Sequence, residues 1–249
     1  LAFRVASIFK KGETTSCSNY RPISLLCITY KVFAQILLSH LKSAGAESRI
    51  WKTQFGFRTG YGTQDALFLA RQYLEEAWSL KYGAVAMLAL DWEKAFDSVS
   101  PASLTGAMRR FGIPEPFIQM INAIFNDRKF RVKDAGHLSN AHVQHFGISQ
   151  GCPLSPFLFV IMMTVLMHDA KASLGPLQLS VHELVYADHT LLVGTDVNHL
   201  TKFMEAVGLH GSAYGLSFNW EKLELLKMRI NGHIPRPDAG MVKEPAAMS

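Results

Sequence analysis

Two aspartates stand where apolar sequence would otherwise run on. Ala84 to Leu90 is an unbroken apolar run after Gly83, and it ends at Asp91. Val181–Val185 and Thr190–Val193 flank the tetrapeptide Tyr186-Ala-Asp-His189, so Asp188 falls at the tip of a short apolar hairpin. A run like 84–90 reads as a strand covered on both faces. That demands a layered fold with a sheet inside it. An ionised carboxylate at the end of such a strand needs a partner, because taking the charge out of water is costly. Two carboxylates on neighbouring strands can share a divalent cation, and hard oxygen donors suit Mg²⁺. Taken singly, an aspartate in a turn such as Asp188 is equally a turn former.

The remaining elements follow from period and punctuation. Apolar residues between Asp65 and Leu80 recur at helical spacing. Ser100-Pro101 is a cap followed by a proline at the first helical position, and Gly112 marks the stop. A second helix fits 115–126. Lys129–Lys133 and His142–Phe146 alternate around Asp134-Ala-Gly136 as a hairpin. Ser155-Pro156 opens a helix that is apolar on nearly all sides through Met167, and is therefore buried. Asp196 caps a helix that Gly215 closes after about Tyr214. Glycine and proline are frequent beyond Asn231, which predicts a loose tail over 231–249. Helices mix with a hairpin-rich sheet without regular alternation, so the expected class is α+β.

With 249 residues, 49% hydrophobic and 18% charged, the chain can bury a sizeable core. The longest apolar run, Phe157 to Met167, falls short of the roughly 18 residues of a spanning helix. The N-terminus carries Arg4, Lys10 and Lys11 and does not resemble a signal peptide. Cys17, Cys27 and Cys152 make neither a disulfide framework nor a paired metal motif, which fits a reducing compartment. The expected location is therefore intracellular, not secreted. Because it begins at Leu1, the chain reads as a fragment of something longer. Residues 1–60 hold nine Lys or Arg against Glu13 and Glu47, a balance of +7 within a total of +5, so the other residues sum to −2. A basic first part beside a carboxylate-bearing remainder suggests that one part holds a polyanion and the other a metal; a solvated basic surface explains the charge alone equally well.

Five blocks narrow the reading: Asn19-Tyr-Arg-Pro-Ile-Ser-Leu-Leu26, Gln54-Phe-Gly-Phe-Arg58, Leu90-Asp-Trp-Glu-Lys-Ala-Phe-Asp-Ser-Val99, Gly147-Ile-Ser-Gln-Gly-Cys-Pro-Leu-Ser-Pro156 and Tyr186-Ala-Asp188. In this order they resemble the reverse transcriptase of non-LTR (LINE-like) retrotransposons, and Gly215-Leu-Ser-Phe-Asn219 with Lys222 and Glu224 resembles that family's next block. The likeness runs from about Ile8 to Glu224. It implies a right-hand polymerase fold with the thumb absent: fingers over 1–85, and a palm over 86–230 with part of the fingers inserted near 112–150. It also implies an RNA template, a DNA primer, deoxynucleoside triphosphates, the other domains of a polyprotein, a nuclear or cytoplasmic ribonucleoprotein setting, and no membrane.

The same resemblance implies residue roles. Asp91 and Asp188, with the backbone carbonyl of Trp92, would hold two Mg²⁺ ions, or Mn²⁺ in their place, that bridge the primer oxygen and the nucleotide phosphates. Phe96 would exclude a ribose 2′-hydroxyl. Lys10, Lys11 and Arg21 would face the triphosphate. Gln150 and Gly151 would contact the incoming nucleotide, glycine permitting a close backbone approach. Lys222 would protonate or electrostatically stabilise the departing pyrophosphate. Taken as bare residues, Phe96 is equally a core phenylalanine, and Lys10 and Lys11 a solvated pair.

One position departs from the family. Its metal hairpin ends in two aspartates, whereas this chain has Asp188-His189. A neutral imidazole removes one negative charge and offers nitrogen where a hard cation prefers oxygen. Neither Glu93 nor Asp97 stands at a substituting position. The change needs one nucleotide (GAY to CAY), as in a recently decayed element copy, so the expectation is an impaired RNA-directed DNA polymerase. The alternative is a catalytically inactive RNA-binding remnant. An unrelated palm-fold nucleotidyltransferase or cyclase is disfavoured by the 19–26 and 147–156 blocks.

Overall fold

The computed structural model describes residues 2–134, 136–176 and 180–245. The chain divides into two compact units, Leu1–Ser48 with Phe96–Phe159, and Arg49–Ala95 with Val160–Ser249. The opening stretch of the first unit ends at Ser48, whereas the fingers expectation runs on to residue 85. Thr53–Phe55 bond the backbone of Val185 in the second unit, and the helix after them packs on the same sheet.

The first unit is a sheet with helices. β1 (Ala2–Phe9) pairs antiparallel with β2 (Tyr20–Leu25) and parallel with β4 (Lys129–Asp134). The strand returning from β4 is broken into β5 (His137–Leu138) and β6 (His142–Val143), both antiparallel to it. The hairpin read at 129–146 is thus present, with Lys129 opposite Val143. Sequence reading missed β1, β2 and α1 (Ile28–Ser43), although α1 buries Tyr30, Ala34, Leu37 and Leu41 at helical spacing. α4 (Pro101–Phe111) begins at Ser100, whose hydroxyl accepts from Ser103 N, and ends at Gly112, whose φ of 88° is left-handed. Cap, proline and stop therefore fall where the sequence sets them. α5 (Glu115–Phe125) buries Ile118, Ile121, Ile124 and Phe125.

The second unit carries an antiparallel sheet in the order β7–β8–β3–β9, from β3 (Val85–Leu90), β7 (Val181–Tyr186), β8 (His189–Gly194) and β9 (Glu224–Met228). β3 is one of the two inner strands, and Val85, Ala86, Met87, Leu88 and Leu90 are all buried, as its unbroken apolar run requires. α2 (Thr63–Ser79) packs on β7 and β3, and α7 (Val197–Ser212) on β8, β3 and β7. Asp196 caps α7 by accepting from Asn198 N.

α6 (Ser155–Ser173) has the length and composition to cross a bilayer. Yet every side chain from Phe157 to Met167 is buried, which is the signature of a core helix. The short α3 (Ala95–Ser98) follows β3. Over 231–245 the expected tail is anchored at several points. Ile234 and Val242 are buried, Pro235 bridges Met241, and Lys243 bridges Glu224 at the start of β9. Two apolar anchors outweigh the flexibility of the surrounding glycines and prolines.

Candidate active site

Strand register brings the acidic residues together. β3 and β8 run antiparallel with Leu90 opposite Thr190, so Asp91 and His189 leave the ladder side by side. β7 and β8 close with Tyr186 opposite His189, leaving Ala187 and Asp188 as a two-residue tip. One ligand atom from each of Asp91, Asp188 and His189 lies within 4.8 Å of the others. His189 Nδ1 stands 3.7 Å from Asp91 Oδ1, and its Nε2 stands 3.9 Å from Asp188 Oδ1. The Asp91 side chain is 9% exposed and that of Asp188 28%, whereas His189 is 63% exposed. The cluster therefore has a buried carboxylate base and an open, histidine-bearing side.

The exit from β3 is held from behind. Asn219 N donates to Asp91 O at 2.8 Å and Glu93 N to Ser217 O at 2.8 Å, which bridges the Trp92 backbone to Phe218. The Trp92 ring is buried and stacks on Phe218 at 4.5 Å between centroids. A Cβ at residue 211 would stand 2.4 Å from that ring, so Gly211 is what lets α7 approach it.

Lys222 arrives on a 3₁₀ turn, Trp220–Lys222, and its ammonium bonds Asp91 Oδ2. Lys222 offsets one of the two carboxylate charges and His189 adds no negative charge, so the cluster carries at most about one net negative charge. Its oxygens suit a divalent cation, but that balance answers the charge of a single ion poorly and that of two ions less well. Beside the cluster lies a cavity of about 460 Å³. Ala66 and Ala70 of α2, Tyr186, Lys222 and the buried Thr190 line it. The Thr190 hydroxyl has no hydrogen-bond partner among the described residues.

The other residues singled out in the sequence lie in the first unit. Lys10 and Lys11 are exposed at the β1–β2 turn, where Lys10 N donates to Asn19 O at 2.8 Å; Arg21 is exposed on β2 opposite Ile8. Gln150 O accepts from Ser24 N at 2.7 Å, while its side-chain amide donates to Asp97 Oδ1 at 3.1 Å. Gly151 has φ +114°, and a Cβ there would stand 2.7 Å from Ser24 O. Gln150 and Ser24 share the rim of a cavity of about 330 Å³ with Tyr20, Asp97 and Phe146. Lys10, Lys11 and Arg21 do not line it. Phe96 is half-buried, with its ring stacked on Phe159 at 4.7 Å and its carbonyl accepting from Ile148 N at 2.7 Å.

Sequence reasoning missed two residues that shape these loops. Arg128 is 2% exposed, donates to Gly147 O at 2.6 Å and Ser149 Oγ at 2.9 Å, and lies over the Phe125 ring. Burial lowers its pKa. The other is Gln54, buried against the Ala187 tip. It stands inside a quoted block, but only the fold shows what it touches.

A sheet bearing paired aspartates on adjoining antiparallel strands, with helices behind it, is the palm of a right-hand polymerase. Solved telomerases share the architecture. That of Candida tropicalis, truncated from its C-terminal domain, superposes with a TM-score of 0.64 at 14% identity, over 93% of this chain and 51% of that one. Telomerase of Candida albicans, in complex with a fragment of telomeric RNA, gives 0.63 at 13% identity, over 100% and 46%. The family model described as reverse transcriptase (RNA-dependent DNA polymerase) matches residues 8–234. The chain belongs to that family, among the reverse transcriptases of non-LTR retrotransposons. It is 30% identical to the transposon TX1 149 kDa protein of Xenopus laevis over 86% of its length, and 26% identical to the Pol polyprotein of retrotransposable element R2 of Popillia japonica over 95%. To the RNA-directed DNA polymerase of mobile element jockey of Drosophila melanogaster it is 32% identical over 63%. It spans 16%, 33% and 17% of these relatives' own lengths.

Proposed function

We propose that this chain is the polymerase portion of a non-LTR retrotransposon reverse transcriptase, extending a DNA primer on an RNA template from deoxynucleoside triphosphates. The convergence of Asp91, Asp188 and His189 carries the reading. Asp91 and Asp188 would hold the divalent cation, with the Trp92 carbonyl as a further oxygen donor. Once bound, Mg²⁺ or Mn²⁺ supplies Lewis-acid stabilisation of phosphate charge, and two ions are the arrangement this chemistry commonly uses. In the first unit Lys10, Lys11 and Arg21 would attract the triphosphate. Phe96 would sense the sugar, and the Gln150–Gly151 backbone would approach the nucleotide. Lys222 would pass from Asp91 to the departing pyrophosphate once a cation displaces it.

His189 weakens the centre by removing one negative charge from it. Full-chain primer extension on an RNA template, in Mg²⁺ and in Mn²⁺ and beside His189→Asp, tests the reading. Slow extension that His189→Asp accelerates supports it. Failure of both proteins to extend in either metal overturns the assignment of Asp91 and Asp188. A second reading, an inactive RNA-binding remnant, is favoured by the Lys222–Asp91 ion pair, which occupies a carboxylate a cation needs. Template binding without extension in wild type and variant alike would support it.

A further inference from the structure

The tip that carries Asp188 has an unusual backbone. Ala187 takes φ +56° at the first position of a two-residue hairpin tip, a conformation that glycine usually supplies. Its own sequence does not favour that geometry, so something outside the hairpin must hold it.

Gln54 does. Its side chain is 1% exposed; Oε1 accepts from Ala187 N at 2.9 Å and from Gly56 N at 2.8 Å, while Nε2 donates to Ala187 O at 3.3 Å. One carboxamide thus satisfies both backbone polar groups of the strained residue. The segment around it is tied to the same hairpin. Phe55 N donates to Val185 O at 2.8 Å, and Val185 N to Thr53 O at 2.8 Å. A Cβ at residue 56 would stand 2.3 Å from Ala187 N, so only glycine lets the two backbones lie this close. From the other side, Arg58 donates to Gln54 O at 3.0 Å. Trp51 Nε1 and Thr53 Oγ1 bond Glu183 of β7 at 3.0 and 3.3 Å.

We infer that Gln54 is the positioning residue of Asp188: its carboxamide, with the bare backbone of Gly56, locks the Ala187 tip in the left-handed conformation that aims Asp188 at Asp91. The inference rests on the reading of Asp91 and Asp188 as cation ligands, and it adds a role for a residue that touches neither cation nor substrate. Gln54→Met keeps the volume and removes all three side-chain bonds. Gln54→Glu keeps the oxygen that accepts from Ala187 and Gly56.

The test uses the full chain and three readouts: amide exchange at Ala187, Mn²⁺ affinity by electron paramagnetic resonance, and melting. Gln54→Met should speed Ala187 exchange and weaken Mn²⁺ binding, each by about tenfold. Leu200→Ala, a core truncation in α7, should lower the melting temperature at least as much while leaving both unchanged. Adding Ala187→Gly to Gln54→Met should restore most of the Mn²⁺ affinity, because glycine adopts the positive φ unaided; a purely structural glutamine gives no such rescue. Unchanged Ala187 exchange in Gln54→Met, or the same Mn²⁺ loss in Leu200→Ala, overturns the inference. If Gln54→Met does not fold, Gln54→Glu decides: Ala187 protection retained supports the clamp, and protection lost overturns it. Should wild type show no Mn²⁺ binding that Asp188→Asn removes, the cation reading fails by itself. Ala187 exchange then decides whether the clamp exists.

Discussion

In the first unit the loop beginning at Gly147 owes its shape to glycines. Gly147 and Gly151 take φ of +83° and +114°, and a Cβ on either would stand 2.7 Å from a backbone oxygen, of Asp97 and of Ser24 respectively. In the second unit the β7–β8 tip makes a comparable bend with Ala187, and Gln54 bonds both of its backbone polar groups. One turn carries its conformational freedom in its own residues. The other borrows order from a segment 133 positions away. The first is legible locally, the second only from the packed fold. The bonds that hold this turn are made to the Ala187 backbone and leave the side chains of Asp188 and His189 out of them.

The sharpest way to break the comparison is Gly151→Ala. If the loop depends on glycine, the change combines a left-handed penalty with a backbone clash and should cost about 2–4 kcal/mol. Urea unfolding measures it, and a cost below about 1 kcal/mol would show that the loop bends without glycine. Next comes His189→Asp, which changes the tip's charge without touching the Gln54 bonds. Mg²⁺-dependent extension should rise by roughly tenfold to a hundredfold with little change in melting, since one electrostatic stabiliser is worth that much or more. Equal rates in the two proteins would remove the charge argument.

A smaller effect is expected at Phe96, whose carbonyl holds Ile148 of the glycine loop. In the His189→Asp background, Phe96→Val should raise ribonucleotide use several-fold relative to deoxynucleotide. Its stability cost should stay below the about 3–5 kcal/mol of truncating a fully buried ring. An unchanged ratio with a lowered melting temperature assigns the ring to packing against Phe159. The smallest effect is that of Ala187→Gly alone. Relief of a left-handed penalty of about 1–2 kcal/mol is partly offset by the added entropy of the unfolded chain, about 0.5–1 kcal/mol. Melting should rise by no more than a few degrees, and a clear fall would show that the alanine methyl packs more than it strains.

Several elements were legible because their signals are local. Ser100, Pro101 and Gly112 bound α4 through a cap, a fixed φ and a left-handed stop, none of which needs a distant partner. The apolar run before Asp91 reads as a covered strand from its own residues, and it is an inner strand of its sheet. β1 and β2 escaped notice because their partners are each other and β4, more than a hundred residues on, while their outward faces are mixed and charged. The anchors of the tail are equally non-local. Composition registered its glycines and prolines, and burial of Ile234 and Val242 decided its fate.

By itself the sequence determined the elements whose caps, periods and turn residues lie within a few positions of one another. It also determined the family, through ordered blocks of residue types, and the one substitution at residue 189. Tertiary structure alone decided that Asp91, Asp188 and His189 share one cluster, that Lys222 bonds Asp91, and that Gln54 holds the Ala187 tip. These depend on strand register and on the approach of segments far apart in the chain. A shift of one residue in the β3–β8 ladder would turn Asp91 to the opposite face while leaving every local signal unchanged.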